Sequence, residues 1–299
     1  MKEFNYTGTC IPSKHYMVDT SNKITKVIDL INRGKYFIIN RPRQYGKTTT
    51  MYLVVQELLK TEEYLPIKIS FEGVGDEFFK TEGRFCSGFL NLLSRDPVVK
   101  RFGYSQLFYS EIEKTKDIES LTETLTDILS KIKQKTVLMI DEVDRATNFE
   151  VMFYFLGMLR NKYLEINEGR GCTFQSVVLA GLHDIKTLKA KIRPESQSSY
   201  NSPWNIAVDF DVDMSFNPQE IETMLRQYVN ETGTQMNTTE LSNRLHFWTS
   251  GYPFMVSKLC YIIDAKLKPK DNDNCQLSIV NCTAWEFTDI DKAVDIFSN

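Results

Sequence analysis

The run Arg41–Thr48, which reads Arg-Pro-Arg-Gln-Tyr-Gly-Lys-Thr, restricts the fold more than any other part of the sequence. It matches the phosphate-loop template Gly-x-x-x-x-Gly-Lys-Ser/Thr except at the first position, where Arg41 replaces glycine. The apolar residues 36–39 before it predict a buried strand, and a helix is expected from Gly46 or Lys47 onward. This order of strand, loop and helix predicts an α/β fold with a parallel sheet.

The chemistry of phosphate binding explains why the loop needs these residue types. Main-chain N–H groups of the loop and of the following helix start would face the phosphates. Gly46 lets the main chain approach closely because it has no β-carbon, and Lys47 supplies a positive charge for the outer phosphates. The hydroxyl of Thr48 is placed to bind Mg²⁺. A chance match to the template is the alternative. The sequence predicts a nucleotide site that contains Arg43, Gln44, Tyr45, Gly46, Lys47, Thr48 and Thr49.

Two adjacent carboxylates, Asp141 and Glu142, follow a second apolar run, residues 137–140. That run predicts a buried parallel strand, which would deliver its last side chains to the edge of the sheet where ligands bind. Asp141 would hold the Mg²⁺ that also contacts Thr48. Glu142 would orient and deprotonate a water molecule aimed at the γ-phosphate. The predicted catalytic residues are therefore Lys47, Asp141 and Glu142; an ordinary acidic surface loop is the alternative.

The other hydrophobic patterns divide the chain near residue 215. Before this point strands and helices alternate, with further strands predicted at 67–71, at 176–180 and as an open alternative at 206–208. After it the pattern is helical, and Asn217, Pro218 and Glu220 form a helix start with a cap. We predict an α/β core with an N-terminal extension over residues 1–215 and a helical domain over 216–299.

Composition excludes several classes of protein. The 19 Phe, 14 Tyr and 3 Trp are too much aromatic surface for a disordered chain, and the net charge of −3 provides no overall attraction to nucleic acid or anionic lipid. Six scattered cysteines and three histidines do not form zinc-binding spacings. The N-terminus lacks the apolar segment of a signal peptide, and the longest apolar run, 151–159, is too short for a membrane span. We expect reduced thiols and a cytoplasmic protein with no membrane partner.

Several blocks of the sequence together resemble a known family. These are the loop at 41–50, the run Leu138-Met-Ile-Asp-Glu-Val-Asp-Arg145, the run 177–182, Asn201–Ala207 and Ser250–Phe254. They are similar to the AAA-like ATPases of bacteria and archaea. This family is related to the STAND group of P-loop ATPases. The resemblance implies a three-layer αβα sandwich of the P-loop NTPase type with a mainly parallel sheet, and a helical lid after it. It also implies an extra strand between the strand of the phosphate loop and the strand of the acidic pair.

The same resemblance implies ligands and partners. ATP and Mg²⁺ are the implied cofactors, and Gly251-Tyr252-Pro253 is similar to a lid element that lies near the nucleotide, so Pro253 joins the predicted site. An ordinary helix start at Pro253 is the alternative. Members of the family often continue beyond the lid, which leaves open the start of a winged-helix segment after it and an effector carried by a partner. A homo-oligomer is a further open alternative.

Weaker candidates each have a structural alternative. His183 follows the fourth strand, where such ATPases place a γ-phosphate sensor, but a solvated loop histidine fits as well. The basic run 186–193 could contact nucleic acid or supply an arginine finger, or it could be a solvated face. Arg145 and Arg160 are rival finger candidates. Tyr16 and Val18 could cover the adenine or pack in a core, and Trp204 is expected to pack.

Three functions fit these motifs. The first is an ATP hydrolase that works as a nucleotide-driven switch or motor. The second is a nucleotide-dependent scaffold with little turnover, and it includes a role on DNA. The third, a P-loop kinase, is disfavoured because Glu142 is a base for water, which a phosphotransferase should avoid.

Overall fold

The computed structural model describes residues 1–182, 204–267 and 285–298. The chain forms two compact units that are not contiguous in sequence. The sheet unit contains Thr25–Pro42 and Met51–Asp211, and the helical unit contains Met1–Ile24, Arg43–Thr50 and Val212–Asn299. The N-terminal residues and the phosphate loop are thus grouped with the C-terminal helices, whereas the predicted domains 1–215 and 216–299 placed them with the sheet.

A four-stranded parallel sheet forms the centre of the sheet unit. Its strands are β1 (Phe37–Asn40), β2 (Tyr64–Ser70), β3 (Lys135–Asp141) and β4 (Ser176–Gly181). Their order is β1-β4-β3-β2, so β4 lies between the strand of the phosphate loop and the strand of the acidic pair, as the resemblance implied. Nearly continuous burial along β3 and β4 explains why these strands read as unbroken apolar runs.

The open alternative of a fifth strand at 206–208 is wrong for the described residues. Val208 makes one isolated bridge to Phe37, in which its N–H donates to the carbonyl of Tyr36 at 2.9 Å. A strand requires successive ladder bonds, and this segment makes a single one.

Helices account for most of the rest of the described sheet unit. They are α1 (Ser21–Asn32), α2 (Lys47–Leu58), α3 (Glu82–Arg95), α4 (Pro97–Arg101), α5 (Ser105–Tyr109), α6 (Ile118–Lys131) and α7 (Glu150–Asn167), the first residues of α1 and α2 lying in the helical unit. An aromatic cluster joins α3 to α7, since the rings of Phe85 and Phe89 each lie 5.0 Å from that of Phe155. All three rings are fully buried, so this cluster stabilises the packing of helices on the sheet.

The helical unit contains α8 (Pro218–Thr232), α9 (Thr238–Thr249), α10 (Pro253–Ile262) with a π-helical turn at Ile263–Leu267, and α11 (Phe287–Ser298). The predicted cap of α8 is confirmed: Asn217 Oδ1 accepts from the N–H of Glu220 at 2.8 Å, and Glu220 Oε2 accepts from the N–H of Asn217 at 2.9 Å. Tyr16 and Val18 are buried in the core of this unit, so packing explains both.

Within the described ranges, none of the helices is both long and apolar enough to cross a lipid bilayer. The cysteines of the described residues, Cys10, Cys86, Cys172 and Cys260, form no disulfide.

Candidate functional site

The phosphate loop leaves the sheet at the carboxyl end of β1. The N–H of Arg41 donates to the carbonyl of Gly181 at 3.4 Å, which continues the pairing of β1 with β4. The guanidinium of Arg41 turns back onto its own unit: it donates to the carbonyls of Asn40 at 2.8 Å and Phe210 at 3.3 Å, and it lies 5.6 Å from the centre of the Phe210 ring. Arg41 does not have a positive φ, so the template's first glycine is not required for the backbone conformation here.

Two later residues of the loop adopt left-handed backbone conformations. Gln44 has φ 62° and Gly46 has φ 74°. Left-handed residues in a tight loop turn successive N–H groups toward one side, and such arrays bind anions. A β-carbon placed on Gly46 would meet no atom of the described residues within 4 Å, so space remains beside the main chain. The loop therefore has a backbone shape that favours an anion, with open space beside Gly46.

Helix α2 begins directly at Lys47, so the positive end of its dipole is next to the loop. The first helical bond runs from the N–H of Thr50 to the carbonyl of Gly46 at 2.8 Å. Lys47 is buried and Thr48 is half-buried, while Arg43 and Gln44 are exposed. The hydroxyl of Thr49 accepts a bond from the N–H of Cys10 at 3.1 Å, which ties the N-terminal segment to this helix start.

Asp141 and Glu142 lie at the carboxyl end of β3, as predicted. Asp141 is 3 % exposed, and its carboxylate accepts from the N–H of Glu142 at 3.0 Å. Glu142 is half-buried and has φ 54°, an unfavourable conformation for a residue with a β-carbon. The carboxylate pair therefore stands in a turn that the surrounding structure holds in place.

A lysine that the sequence analysis did not select, Lys68, belongs to this group. In the register of the sheet Lys68 is opposite Met139 and Ser70 is opposite Asp141, so Lys68 and Asp141 project from the same side. Burial lowers the pKa of Lys68, and the charge of Asp141 opposes that shift. The sequence signal was a charged residue between two isoleucines, Ile67 and Ile69, in the middle of a largely buried strand.

Asp144 connects the acidic turn to the end of β4. Its carboxylate accepts a hydrogen bond from the N–H of Leu182. A β-carbon on Gly181 would lie 2.7 Å from Asp144 Oδ2, so the glycine makes room for this contact. A hydrogen bond therefore connects the turn after β3 with the residue that follows β4, within the sheet unit.

Within the helical unit, the predicted lid element contacts the phosphate loop through Tyr252. The hydroxyl of Tyr252 donates to the carbonyl of Arg43 at 3.0 Å and lies 3.3 Å from Oε1 of Gln44. The ring centres of Tyr252 and Tyr45 are 4.8 Å apart. Burial, followed by the effect of Tyr45, raises the pKa of Tyr252, which keeps the hydroxyl protonated as a donor. Pro253 is buried at the start of α10, and its predicted role at the nucleotide stays a prediction.

The left-handed residues of the described chain support the choice of these segments. Apart from glycines, the described residues with positive φ are Gln44, Glu142 and Ser250, which lie in the phosphate loop, the acidic turn and the lid element. Such conformations cost about 1–2 kcal/mol each and collect at functional sites. The backbone thus points to the same segments as the sequence motifs.

Of the remaining candidates, Arg145, Arg160 and Trp204 lie among the described residues. His183 and the basic run 186–193 lie outside the described residues. Arg145 is exposed, and Arg160 donates to Oδ1 of Asn205 at 2.9 Å. Trp204 is fully buried with its ring stacked on Tyr36 at 6.0 Å, in agreement with a packing role.

The side chains available as metal ligands favour magnesium over a metal held by protein groups alone. The described residues contain no cluster of three His, Cys, Asp or Glu side chains that could hold a metal. A metal held by a threonine hydroxyl, a carboxylate and phosphate oxygens is typical of Mg²⁺, which prefers oxygen ligands and seldom uses an all-protein cage. Thr48 carries a hydroxyl and Asp141 a carboxylate, so each has a donor group of the kind that Mg²⁺ prefers.

Comparisons with known proteins agree with this fold. None of the curated proteins matches the sequence significantly. Among solved structures, the Walker-type ATPase PABY2304 of Pyrococcus abyssi has a TM-score of 0.62 at 12% identity, over 98% of this chain and 75% of that chain. The ORC2 protein of Aeropyrum pernix, solved with ADPNP and ADP, has a TM-score of 0.52 at 12% identity, over 97% and 70%. The ORC1 protein of the same organism, solved with DNA, has a TM-score of 0.50 at 11% identity, over 94% and 66%.

At identities this low, the three structures show similarity of fold alone. The family comparison goes further, because the model of the AAA-like domain matches residues 9–272, which is most of the chain. The chain therefore belongs to the AAA-like domain family, and its fold is that of the P-loop ATPases.

Proposed function

We propose that this protein binds ATP with Mg²⁺ and hydrolyses it, so that its nucleotide state operates a switch or motor. The observation that carries the proposal is the backbone of the phosphate loop. Left-handed residues at Gln44 and Gly46 are followed at once by the positive end of α2. This combination is suited to an anion with several phosphate groups, and family membership favours ATP.

Each predicted residue has a role in the proposed site. The main chain of Arg43 to Thr49 would bind the phosphates, and the Lys47 ammonium would neutralise their charge. Thr48 and Asp141 would hold the Mg²⁺, which supplies charge neutralisation at the phosphate oxygens. Pro253 would lie near the nucleotide.

Hydrolysis requires a base for water, and we assign this role to Glu142. Its carboxylate would accept a proton from the attacking water as the water approaches the γ-phosphorus. The left-handed backbone of Glu142 and the bond from its N–H to Asp141 would fix the main chain from which this carboxylate projects. In a kinase, a base that activates water would promote the competing transfer of the phosphoryl group to water.

The test compares ATP binding and turnover in matched variants. Wild-type protein should bind ATP–Mg²⁺ in calorimetry and release phosphate. Lys47→Ala should lose binding, and Glu142→Gln should keep binding and lose turnover by at least about 100-fold. Glu123→Gln, a change at an exposed position of α6, is the matched control and should leave both unchanged.

Two results would change the proposal. If wild type and Glu142→Gln turn over ATP at the same rate while both bind it, the protein is a nucleotide-dependent scaffold. If folded wild type gives no heat with ATP–Mg²⁺, neither function stands.

A role on DNA is the second candidate, because one protein of similar fold was solved in complex with DNA. The net charge of −3 does not favour it, so any contact would have to be local. Electrostatic binding to phosphates weakens steeply with salt. DNA affinity should therefore be measured across a salt series, and affinity that is undetectable at low salt would exclude this role.

The proposed switch also leads to expectations about partners, oligomeric state and cellular location. A nucleotide switch needs an effector, which we expect on a protein partner or on a second copy of the chain. A relationship to the STAND group of P-loop ATPases and a cytoplasmic location would both be consistent with a nucleotide switch of this kind. Gel filtration with and without ATP–Mg²⁺ would detect a homo-oligomer.

A further inference from the structure

A tyrosine hydroxyl of the helical unit is bonded to the main chain of the phosphate loop, although the two are far apart in sequence. Tyr252 donates to the carbonyl of Arg43 at 3.0 Å. The carbonyl of Arg43 and the N–H of Gln44 belong to the same peptide group. In a planar trans peptide these groups point in opposite directions. A partner that fixes the carbonyl therefore also fixes the direction of the Gln44 N–H.

The backbone at Gln44 needs such support. Its φ of 62° is unfavourable for a residue with a β-carbon, so a free loop would favour other conformations. Tyr252 contacts this residue twice, through the peptide before it and through its side-chain Oε1 at 3.3 Å. The hydroxyl thus favours the conformation that directs the N–H away from the lid element.

The ring of Tyr252 is itself held in place. It packs against Tyr45 at 4.8 Å and against Phe254 at 6.0 Å. Directly before it, Gly251 accepts a bond from the N–H of Phe216 at 2.8 Å. The hydroxyl therefore has a defined position from which to orient the loop.

We propose that Tyr252 is a positioning residue for the phosphate loop, which orients the Gln44 N–H to receive a phosphate group of a nucleotide without contacting the nucleotide itself. This inference rests on the proposed function. It predicts that removal of a single hydroxyl of the lid weakens nucleotide binding. The net contribution of one neutral hydrogen bond corresponds to about a threefold to tenfold change in affinity.

The experiment measures the dissociation constant for ATP–Mg²⁺ by calorimetry in wild type and in Tyr252→Phe, which keeps the ring on Tyr45. We expect the constant to rise about threefold to tenfold. Tyr261→Phe is the matched control, because it removes a hydroxyl from another partly buried tyrosine of the same unit. Its affinity should equal that of wild type. The melting temperature of Tyr252→Phe without nucleotide should stay within a few degrees of wild type, so that both affinities are measured on folded protein.

A second pair of variants separates the hydrogen bond from the ring. Tyr252→Gln keeps a donor and Tyr252→Leu does not, while both lack the ring. The Gln variant should bind ATP–Mg²⁺ more tightly than the Leu variant. Equal affinities in this pair, or a wild-type affinity in Tyr252→Phe, would overturn the positioning role and leave the proposed function standing. If wild type itself does not bind ATP–Mg²⁺, both proposals fall.

Discussion

The main chain of Gly251 is bonded directly to the main chain of Phe216, where the N–H of Phe216 donates to the Gly251 carbonyl at 2.8 Å. Gly251 has φ 73°, and a β-carbon placed on it would clash with the backbone of Phe216. Both the conformation and the space at this position therefore require glycine. Since Tyr252 follows directly, this contact also determines where the tyrosine meets the phosphate loop.

Gly251→Ala is expected to lower the free energy of unfolding by about 2–4 kcal/mol, because a left-handed conformation and a clash with main-chain atoms add together. Gly233→Ala is the matched control. Gly233 has φ 70°, but a β-carbon there meets no described atom within 4 Å, so only the conformational cost of about 1 kcal/mol applies. Urea unfolding of the two variants measures the difference, and equal losses would contradict the close contact.

Asp144→Ala and Gly181→Ala are expected to act on the same interaction. The first removes the acceptor of the Leu182 N–H, and the second places a β-carbon against the carboxylate. Each should lower the free energy of unfolding by about 1–2 kcal/mol. The double variant should lose clearly less than the sum, because its two changes break one bond. Additive losses in urea unfolding would show that Asp144 and Gly181 are not coupled.

Gly157→Ala is expected to stabilise the protein. Gly157 lies in the interior of α7, and a β-carbon there would meet no atom of the described residues within 4 Å. Alanine in place of glycine in a helix is worth about 0.5–1 kcal/mol. Thermal unfolding should show a raised melting temperature, and a lowered one would mean that a β-carbon is not tolerated on this helix.

Asp117 should make stability depend on pH. Its carboxylate caps α6 by accepting from the N–H of Ser120 at 2.8 Å, and hydrogen bonds from the backbone and side chain of Ser120 lower its pKa below the ordinary 3.8. A depressed folded-state pKa gives a contribution that is complete above pH 3.8 and is lost as the pH falls through the folded-state value.

Asp117→Asn keeps a capping oxygen without the charge. The difference in melting temperature between wild type and this variant should therefore be largest near neutral pH and shrink as the solution is acidified below the ordinary pKa. A difference that stays constant down to acid pH would mean that the charge of Asp117 does not contribute.

Local patterns were enough to predict most of the secondary structure. The alternation of apolar runs and helical patterns predicted all four strands and the parallel sheet, and the cap at Asn217 was predicted from residue types that act within one helical turn. Lys47, Asp141 and Glu142 could be selected because the chemistry of phosphate and water requires those residue types near the carboxyl ends of strands.

Long-range relationships could not be predicted in this way. Arg41 is the position at which the sequence departs from the template, whereas the left-handed non-glycine residue of the loop is Gln44. Gly251-Tyr252-Pro253 resembles a lid element in sequence, which placed Pro253 in the predicted site, but the contact of Tyr252 with the loop is visible only in the tertiary structure. Lys68 was overlooked because its position beside Asp141 depends on the register of two strands that are distant in sequence.

The sequence by itself determined which segments become strands and helices, and which of them carry phosphate-binding and acidic groups, because these properties depend on neighbouring residues. Only the tertiary structure decided that Tyr16 packs in the helical unit and that Tyr252 bonds to a loop 209 residues away. Contacts of this kind follow from how buried surfaces fit together across the whole chain, and no local pattern of residues records that fit.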